Sequence, residues 1–344
     1  VRVLITGHDG YIGAALAPFL LAEGHEVIGL DTRYYRDCGF GEEATPVPLI
    51  ARDIRDVRRD DLAGVDAVVH LAALSNDPVG DLNPECTYEI NHRASLGLAR
   101  LAREAGVRRF LFSSSCSVYG ASSPDDILDE EAAFAPITPY AESKVAVERD
   151  LLRLADDEFS PTFLRNATVY GVSPRLRGDV VVNNLVGWAV TTGKVALKSD
   201  GTPWRPLVHV EDVCRAFAAL LEAPREVVHS QAFNVGRQDE NYRIREVAEI
   251  VQRAVPGSEL SFAEGAGPDP RCYRVDFSKI ARMVPGFRPT WSVERGVNQL
   301  RDAFIAVGLT RADLEGARYS RVKALLCLLQ QGRVDTDLRW KVDA

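Results

Sequence analysis

The 344-residue sequence predicts an α/β protein built on a doubly wound parallel (Rossmann) sheet with a smaller C-terminal α/β lobe. Three observations predict it. Short β-branched runs alternate with helix-like segments through the first half, the pattern of βαβ units. The first of these runs leads straight into a glycine-rich turn that opens a helix. Beyond residue 172 the alternation loosens and Gly and Pro punctuation sets in, around Ser173–Asp179 and Asp200–Pro206.

The elements follow in order. Val1–Thr6 is a continuous aliphatic and β-branched run, as expected of a strand buried on both faces. Val27–Asp31, Val47–Ala51, Ala67–Ala72, Arg109–Ser114 and Thr162–Asn166 are the next candidate strands. Between them, Ile12–Glu23, Pro84–Ala105 and Thr138–Asp157 space their apolar residues three and four apart, which predicts helices. Later helices are expected near Asn183–Thr192 and Arg243–Val255, while Val208–Leu221 and Ala232–Gly236 are able to return to the sheet. The expected division is a dinucleotide-binding domain over 1–172, a lobe over 173–310 for the second ligand, and a charged, partly helical extension over 311–344 to which the sequence assigns no role. There is no internal repeat.

Composition narrows the classes of function. With 41 basic and 49 acidic residues intermixed, the net charge is −8, and no basic stripe points to nucleic acid or an anionic membrane. No apolar run approaches the roughly 20 residues needed to cross a bilayer. The chain opens on a strand-like segment without a signal-peptide layout, so a cytoplasmic protein is expected. The six cysteines lack the paired short spacings of a zinc site or a disulfide framework, and are expected to be reduced and mostly buried.

Gly7-His-Asp-Gly10-Tyr11-Ile12-Gly13 is a Gly-x-x-Gly-x-x-Gly turn between strand and helix. Glycine is required there for the tight turn, for approach of a pyrophosphate and for close helix–strand packing. The helix N-terminus then offers free N–H groups to phosphate. Asp31 ends the second strand, 18 residues beyond Gly13, near the spacing of an acid that bonds the ribose hydroxyls of NAD. A carboxylate there repels a 2′-phosphate, although Arg33 leaves NADP as an alternative. Asp53-Ile54 is placed to face the adenine, and Asp53 serves equally well as a helix N-cap.

Tyr140 and Lys144 lie one helical turn apart on a common face. A phenol is a poor base at neutral pH, but a neighbouring cation favours the phenolate, and a lysine so placed also reaches the nicotinamide ribose. Phe112-Ser-Ser-Ser-Cys-Ser-Val-Tyr-Gly120 falls at the carboxyl end of a strand, where open α/β sheets bind ligands. Ser115 and Ser117 are expected to share a face there, with Cys116 directed away.

At these residues the chain resembles the extended short-chain dehydrogenase/reductases of the nucleotide-sugar epimerase/dehydratase type, over roughly Val1–Thr290. The motifs that carry the resemblance are the glycine turn, His70-Leu71-Ala72-Ala73, Ser-Ser-x-x-Val-Tyr-Gly, Tyr-x-x-x-Lys and Arg205-Pro-Leu-Val-His-Val-Glu-Asp212. The resemblance implies that Ser115, Tyr140 and Lys144 are catalytic and that Asn91 supports the lysine through its helix. It implies that Leu71, Ala72 and Ala73 line the cofactor, and that Ser75, Ser117, Asn166, Thr168, Asn184 and Leu185 line a nucleotide-diphosphate sugar. Arg205 resembles the phosphate-binding arginine, a role suited to charge-assisted bonds. Arg271 is a second phosphate candidate, with a surface ion pair as its alternative. His209 and Asp212 are expected to be structural. A homodimer through Pro84–Ala105 and Thr138–Asp157 is also implied.

Two departures bear on the reaction. Thr168 stands where many relatives place an asparagine against the phosphate. Ser115-Cys-Ser117 lacks the Thr-Asp-Glu triplet of sugar 4,6-dehydratases, which disfavours dehydration. C4 epimerisation with retained NAD is the leading expectation, and 4-keto-sugar reduction with NAD(P)H the alternative. A dinucleotide sensor without turnover is a third, disfavoured because serine, tyrosine and lysine are all present.

Overall fold

The computed structural model describes residues 1–75, 83–123, 126–197, 199–262, 267 and 271–341. The strands in chain order are β1 (Arg2–Thr6), β2 (Glu26–Asp31), β3 (Leu49–Ala51), β4 (Ala67–His70), β5 (Arg109–Ser115), β6 (Ile127–Leu128), β7 (Ser160–Asn166), β8 (Thr168–Tyr170), β9 (Lys194–Leu197), β10 (Trp204–His209), β11 (Ala232–Val235), β12 (Asn241–Arg243), β13 (Glu259–Phe262) and β14 (Arg274–Val275). Seven form one parallel sheet in the order β11-β7-β5-β4-β1-β2-β3. The order reverses between β1 and β4, and a crevice opens at the carboxyl ends on either side of that switch point.

Alternation along each strand assigns the two faces. Val3 and Ile5 enter one core cluster with Leu16, Leu20 and Phe217, whereas Leu4 enters the other with Val68, Leu98, Phe110 and Phe163. A third cluster, including Val186, Val247, Val251 and Leu300, lies in the smaller lobe. There β8, β10 and β12 form a three-stranded sheet, and β9 pairs with β13.

Several expectations are corrected in detail. The segment Pro84–Ala105 is not one uniform helix: α-helix over Pro84–Tyr88 and Ser95–Glu104 is interrupted by a π turn over Glu89–Ala94. Ala232–Val235 does return to the main sheet, beside β7. Val208–Leu221 does not return as a strand. Its start completes β10, and Val210–Glu222 is a helix that sends Val213, Phe217 and Leu220 onto the face of the main sheet. Its apolar spacing matches a helix better than the alternation of a strand. Among the described residues no helix is long and apolar enough to cross a membrane.

Candidate active site

A cleft of about 1010 Å³ runs along the carboxyl ends of the main sheet, beside the smaller lobe. Its size matches the upper range of small-molecule sites. The glycine turn forms one end. Gly7 has φ +73°, and a Cβ on it would lie 2.8 Å from the Ala72 nitrogen; one on Gly13 would lie 2.4 Å from the Gly7 carbonyl oxygen. Turn, first helix and the strand-end segment Leu71–Ala73 therefore approach more closely than any side chain allows. Gly10, Tyr11 and Ile12 line the cleft as well. The Tyr11 hydroxyl donates to Gly171 O at 2.7 Å and accepts from Asn183 Nδ2 at 3.2 Å, so this side chain also braces the turn against the second lobe.

Asp31 ends β2 at the cleft. Its carboxylate accepts the N–H of Arg33 at 2.5 Å and of Asp9 at 3.1 Å, while burial raises its pKa to about 6. Arg33 does not face the cleft. Its side chain turns to Asp9 at 3.5 Å, and Asp9 also pairs with Arg175 at 2.7 Å. The guanidinium that left NADP open is thus directed to a carboxylate of the glycine turn. Asp53 lines the cleft with Ile54, and its Oδ1 caps Arg55 N at 2.8 Å in a short 3₁₀ turn.

Ser115, Ser117, Tyr140 and Lys144 converge on the same cleft. The helix Pro139–Leu154 begins with Thr138 accepting from Ala141 N at 3.2 Å and with Pro at its first position, both strong helix starters. One turn in, Lys144 Nζ donates to Ser113 O at 2.7 Å, 4.6 Å from the Phe112 ring centroid and 5.6 Å from that of Tyr140. Burial lowers the Lys144 pKa to about 7, opposed by the Glu148 carboxylate one turn further on. Glu148 is itself held by Arg165 at 2.8 Å and by the Ser114 hydroxyl at 2.5 Å. Ser115 Oγ accepts from Ser117 N at 3.1 Å because Cys116–Tyr119 winds into a 3₁₀ turn. Cys116 is directed away, its thiol donating to Arg165 O at 3.1 Å.

Asn91 is corrected. It neither lines the cleft nor touches Lys144; the π turn aims it at the Leu74 backbone, which it bonds at 2.7 and 3.1 Å, and at Ser143 Oγ at 3.3 Å. It is the cofactor-lining placement that is corrected; the bond to Ser143, the neighbour of Lys144, ties the strand-end segment to the lysine's helix. His70 bonds Thr6 Oγ1 and Ser95 Oγ, both at 2.7 Å, and so latches β4 to β1 and to the same bent helix.

On the other wall, Ser75, Asn166, Thr168, Asn184, Leu185, Arg205 and Arg271 all line the cleft. The two asparagines of Asn183-Asn184 divide their labour. Asn183 is fully buried, accepting Gly171 N at 2.9 Å and donating to Arg177 O at 2.8 Å, whereas Asn184 borders the cleft and donates to Gly178 O at 2.8 Å. Arg205 donates to Arg271 O and lies 5.6 Å over the Tyr273 ring, which joins the two arginine positions into one wall. Asp269 and Pro270 of that motif, and residues 76–82 of the loop after Ser75, lie outside the described residues. His209 stacks on Trp291 at 3.8 Å and Asp212 accepts Thr290 N and Trp291 N, both structural contacts. Ser117 Oγ and Asn166 Oδ1 are buried without a hydrogen-bond partner among the described residues, capacity that a ligand would satisfy.

Several further residues line the cleft that sequence reasoning missed, Arg177 and Arg321 among them. The basic run Arg175-Leu-Arg177 was a signal for the first. Arg321 had none, since only the fold brings the C-terminal segment to the cleft.

A glycine cradle, an acid at the second strand end and a Ser-Tyr-Lys set on one cleft define an oxidoreductase-type dinucleotide fold of the short-chain kind. The chain belongs to the NAD dependent epimerase/dehydratase family, whose model matches residues 3–236. It is 31% identical over 322 residues to a UDP-glucose 4-epimerase of Mycolicibacterium smegmatis, covering 88% of this chain and 98% of that one. It is 27% identical to UDP-glucuronic acid decarboxylase 1 of Arabidopsis thaliana, over 88% of this chain and 70% of that one. Among solved structures, the dTDP-glucose 4,6-dehydratase of Streptomyces venezuelae with NAD and TYD bound superposes with a TM-score of 0.78 at 26% identity, covering 90% and 99% of the two chains.

Proposed function

We propose that the protein is an NAD-dependent epimerase acting at C4 of a nucleotide-diphosphate hexose through a transient 4-keto sugar. The observation that carries this is the convergence of Ser115, Tyr140 and Lys144 on a cleft whose other end is the Gly7/Gly13 cradle and Asp31. The cradle, which any Cβ would fill, fits a dinucleotide pyrophosphate, and the Asp31 carboxylate fits the ribose hydroxyls of NAD. When bound, NAD would supply the hydride acceptor and donor. Tyr140 takes the C4 hydroxyl proton and gives it back, Ser115 hydrogen-bonds the reacting oxygen, and the Lys144 charge favours the tyrosinate. Arg205 and Arg271, with Asn184, hold the diphosphate. Ser115-Cys116-Ser117 offers no acid–base pair to expel a C6 hydroxyl, which favours epimerisation over dehydration. Arg33, engaged by Asp9, favours NAD over NADP and so weighs against 4-keto reduction with NADPH. We also propose residues 1–172 as the cofactor domain and 173–310 as the sugar-nucleotide lobe. We also propose the homodimer through Pro84–Ala105 and Thr138–Asp157 that the family resemblance implies.

The test is to denature the purified protein, identify the released dinucleotide, and assay UDP-, dTDP-, GDP- and CDP-hexoses without added cofactor. Released NAD with interconversion of a C4 epimer pair is the expected result. An empty site that turns over only a 4-keto sugar with added NADPH overturns it in favour of the reductase.

A further inference from the structure

The segment from Arg311 to Lys341 binds the rim of the cleft at several points. Tyr319 O accepts Gly178 N at 2.8 Å, Arg318 Nε donates to Gly39 O at 2.9 Å, and Trp340 Nε1 donates to Thr32 O at 2.6 Å, one residue beyond Asp31. Its helix Arg321–Gln330 sends Leu325 and Leu328 into the core cluster that holds Leu4 and Val68. The helix therefore starts at the cleft, with Arg321 lining it.

Arg321 is only 2% exposed. Its Nη2 donates to Arg175 O at 2.7 Å and its guanidinium lies 4.2 Å over the Tyr35 ring, but Nη1 is buried with no hydrogen-bond partner among the described residues. Arg177, also buried, donates Nη1 to Ser75 O at 3.3 Å and pairs through Nε with Asp179 at 2.8 Å. Asp179 also accepts the backbone N–H of Arg321 at 3.3 Å. Two buried guanidinium groups thus share this corner with one carboxylate, which pairs with the Arg177 side chain and takes the backbone N–H of Arg321. Guanidinium does not lose its proton in a protein, and a buried charge is costly unless paired, so this corner of the cleft favours an anion. Its position selects which anion. Asn183 Nδ2 ties the Arg177 backbone to the Tyr11 hydroxyl of the glycine turn, and the Arg177 and Arg321 charges both act on that hydroxyl, which sets them beside the turn.

We propose that Arg321 and Arg177 form a guanidinium clamp over the pyrophosphate of the bound dinucleotide, so that the C-terminal arm retains the cofactor. The helix N-terminus at Gly13 contacts the pyrophosphate from one side, and the clamp closes it from the other. This rests on the NAD reading above.

The experiment uses the full chain stripped of cofactor, with calorimetric titration of NAD, adenosine and UDP. Arg321→Met is expected to weaken NAD by about ten-fold or more, the effect of a charge-assisted bond, with Arg321→Lys recovering part of it. Adenosine, which lacks the pyrophosphate, and UDP, which probes the sugar-nucleotide site, are expected to bind both variants as they bind the parent. An NAD affinity within about two-fold of the parent overturns the clamp, as does a loss that falls on adenosine or UDP as heavily as on NAD. If Arg321→Met does not fold, Arg321→Lys and Arg177→Lys are compared by NAD release rate, where unchanged rates overturn the proposal. A parent protein that binds neither NAD nor NADP would instead defeat the cofactor reading on which the clamp depends.

Discussion

Replacing Lys144 by Met is expected to stabilise the cofactor-stripped protein while removing its activity. The ordinary lysine pKa of 10.5 falls to about 7 in the fold, chiefly through burial. At about 1.4 kcal/mol per pH unit, that interval corresponds to a cost of about 5 kcal/mol when the folded lysine is fully charged. Methionine fills a similar volume but forfeits the bond to Ser113 O, about 1–2 kcal/mol, which leaves a net gain of about 3 kcal/mol at pH 6. The sign follows from proton binding. Between pH 7 and 10.5 the unfolded chain holds a proton that the folded chain has released, so this lysine makes stability rise with pH across that window and leaves it flat below. The advantage of the Met variant should therefore shrink from about 3 kcal/mol at pH 6 to near zero by about pH 9. Urea unfolding of both proteins at pH 6, 7, 8 and 9 measures it. A difference that stays constant with pH, or a Met variant less stable at pH 6, would refute the view that a buried, reluctantly charged lysine sits beside Tyr140.

Four further outcomes are expected. Tyr140→Phe should lower turnover by about 10²–10⁴-fold while NAD still binds by calorimetry, because only the proton transfer is lost. Gly13→Ala should lower both thermal stability and NAD affinity, since its Cβ would sit 2.4 Å from the Gly7 carbonyl; an unchanged melting temperature and affinity would show that the turn has room. Asp31→Asn should reduce the discrimination of NAD over NADP by about ten-fold, read from the two dissociation constants, as a like-charge repulsion is removed. Leu152→Glu should shift the sedimentation coefficient from dimer to monomer if the Pro139–Leu154 helix forms the interface.

Much of the site was legible because its chemistry is local. A Gly-x-x-Gly-x-x-Gly turn between strand and helix, and a tyrosine and lysine one turn apart on a helix, have geometries set by a few bonds along the chain. The limits were equally physical. Periodicity read Pro84–Ala105 as one helix because a π turn adds a residue without changing composition, yet that turn is what aims Asn91 at Leu74. Val208–Leu221, read only as able to return to the sheet, splits into the end of one strand and a helix, a division set by tertiary packing.

The sequence by itself determined the parallel sheet, the phosphate-cradling turn and the residues of the proposed catalytic set, since each depends on residue type and short spacing. Tertiary structure alone decided the partners. It turned Arg33 onto Asp9, buried Lys144 beside Glu148, and brought Arg321 from the C-terminal segment to stand with Arg177. Charges interact through space, and their neighbours in the fold are set by packing of distant segments, which no local pattern records.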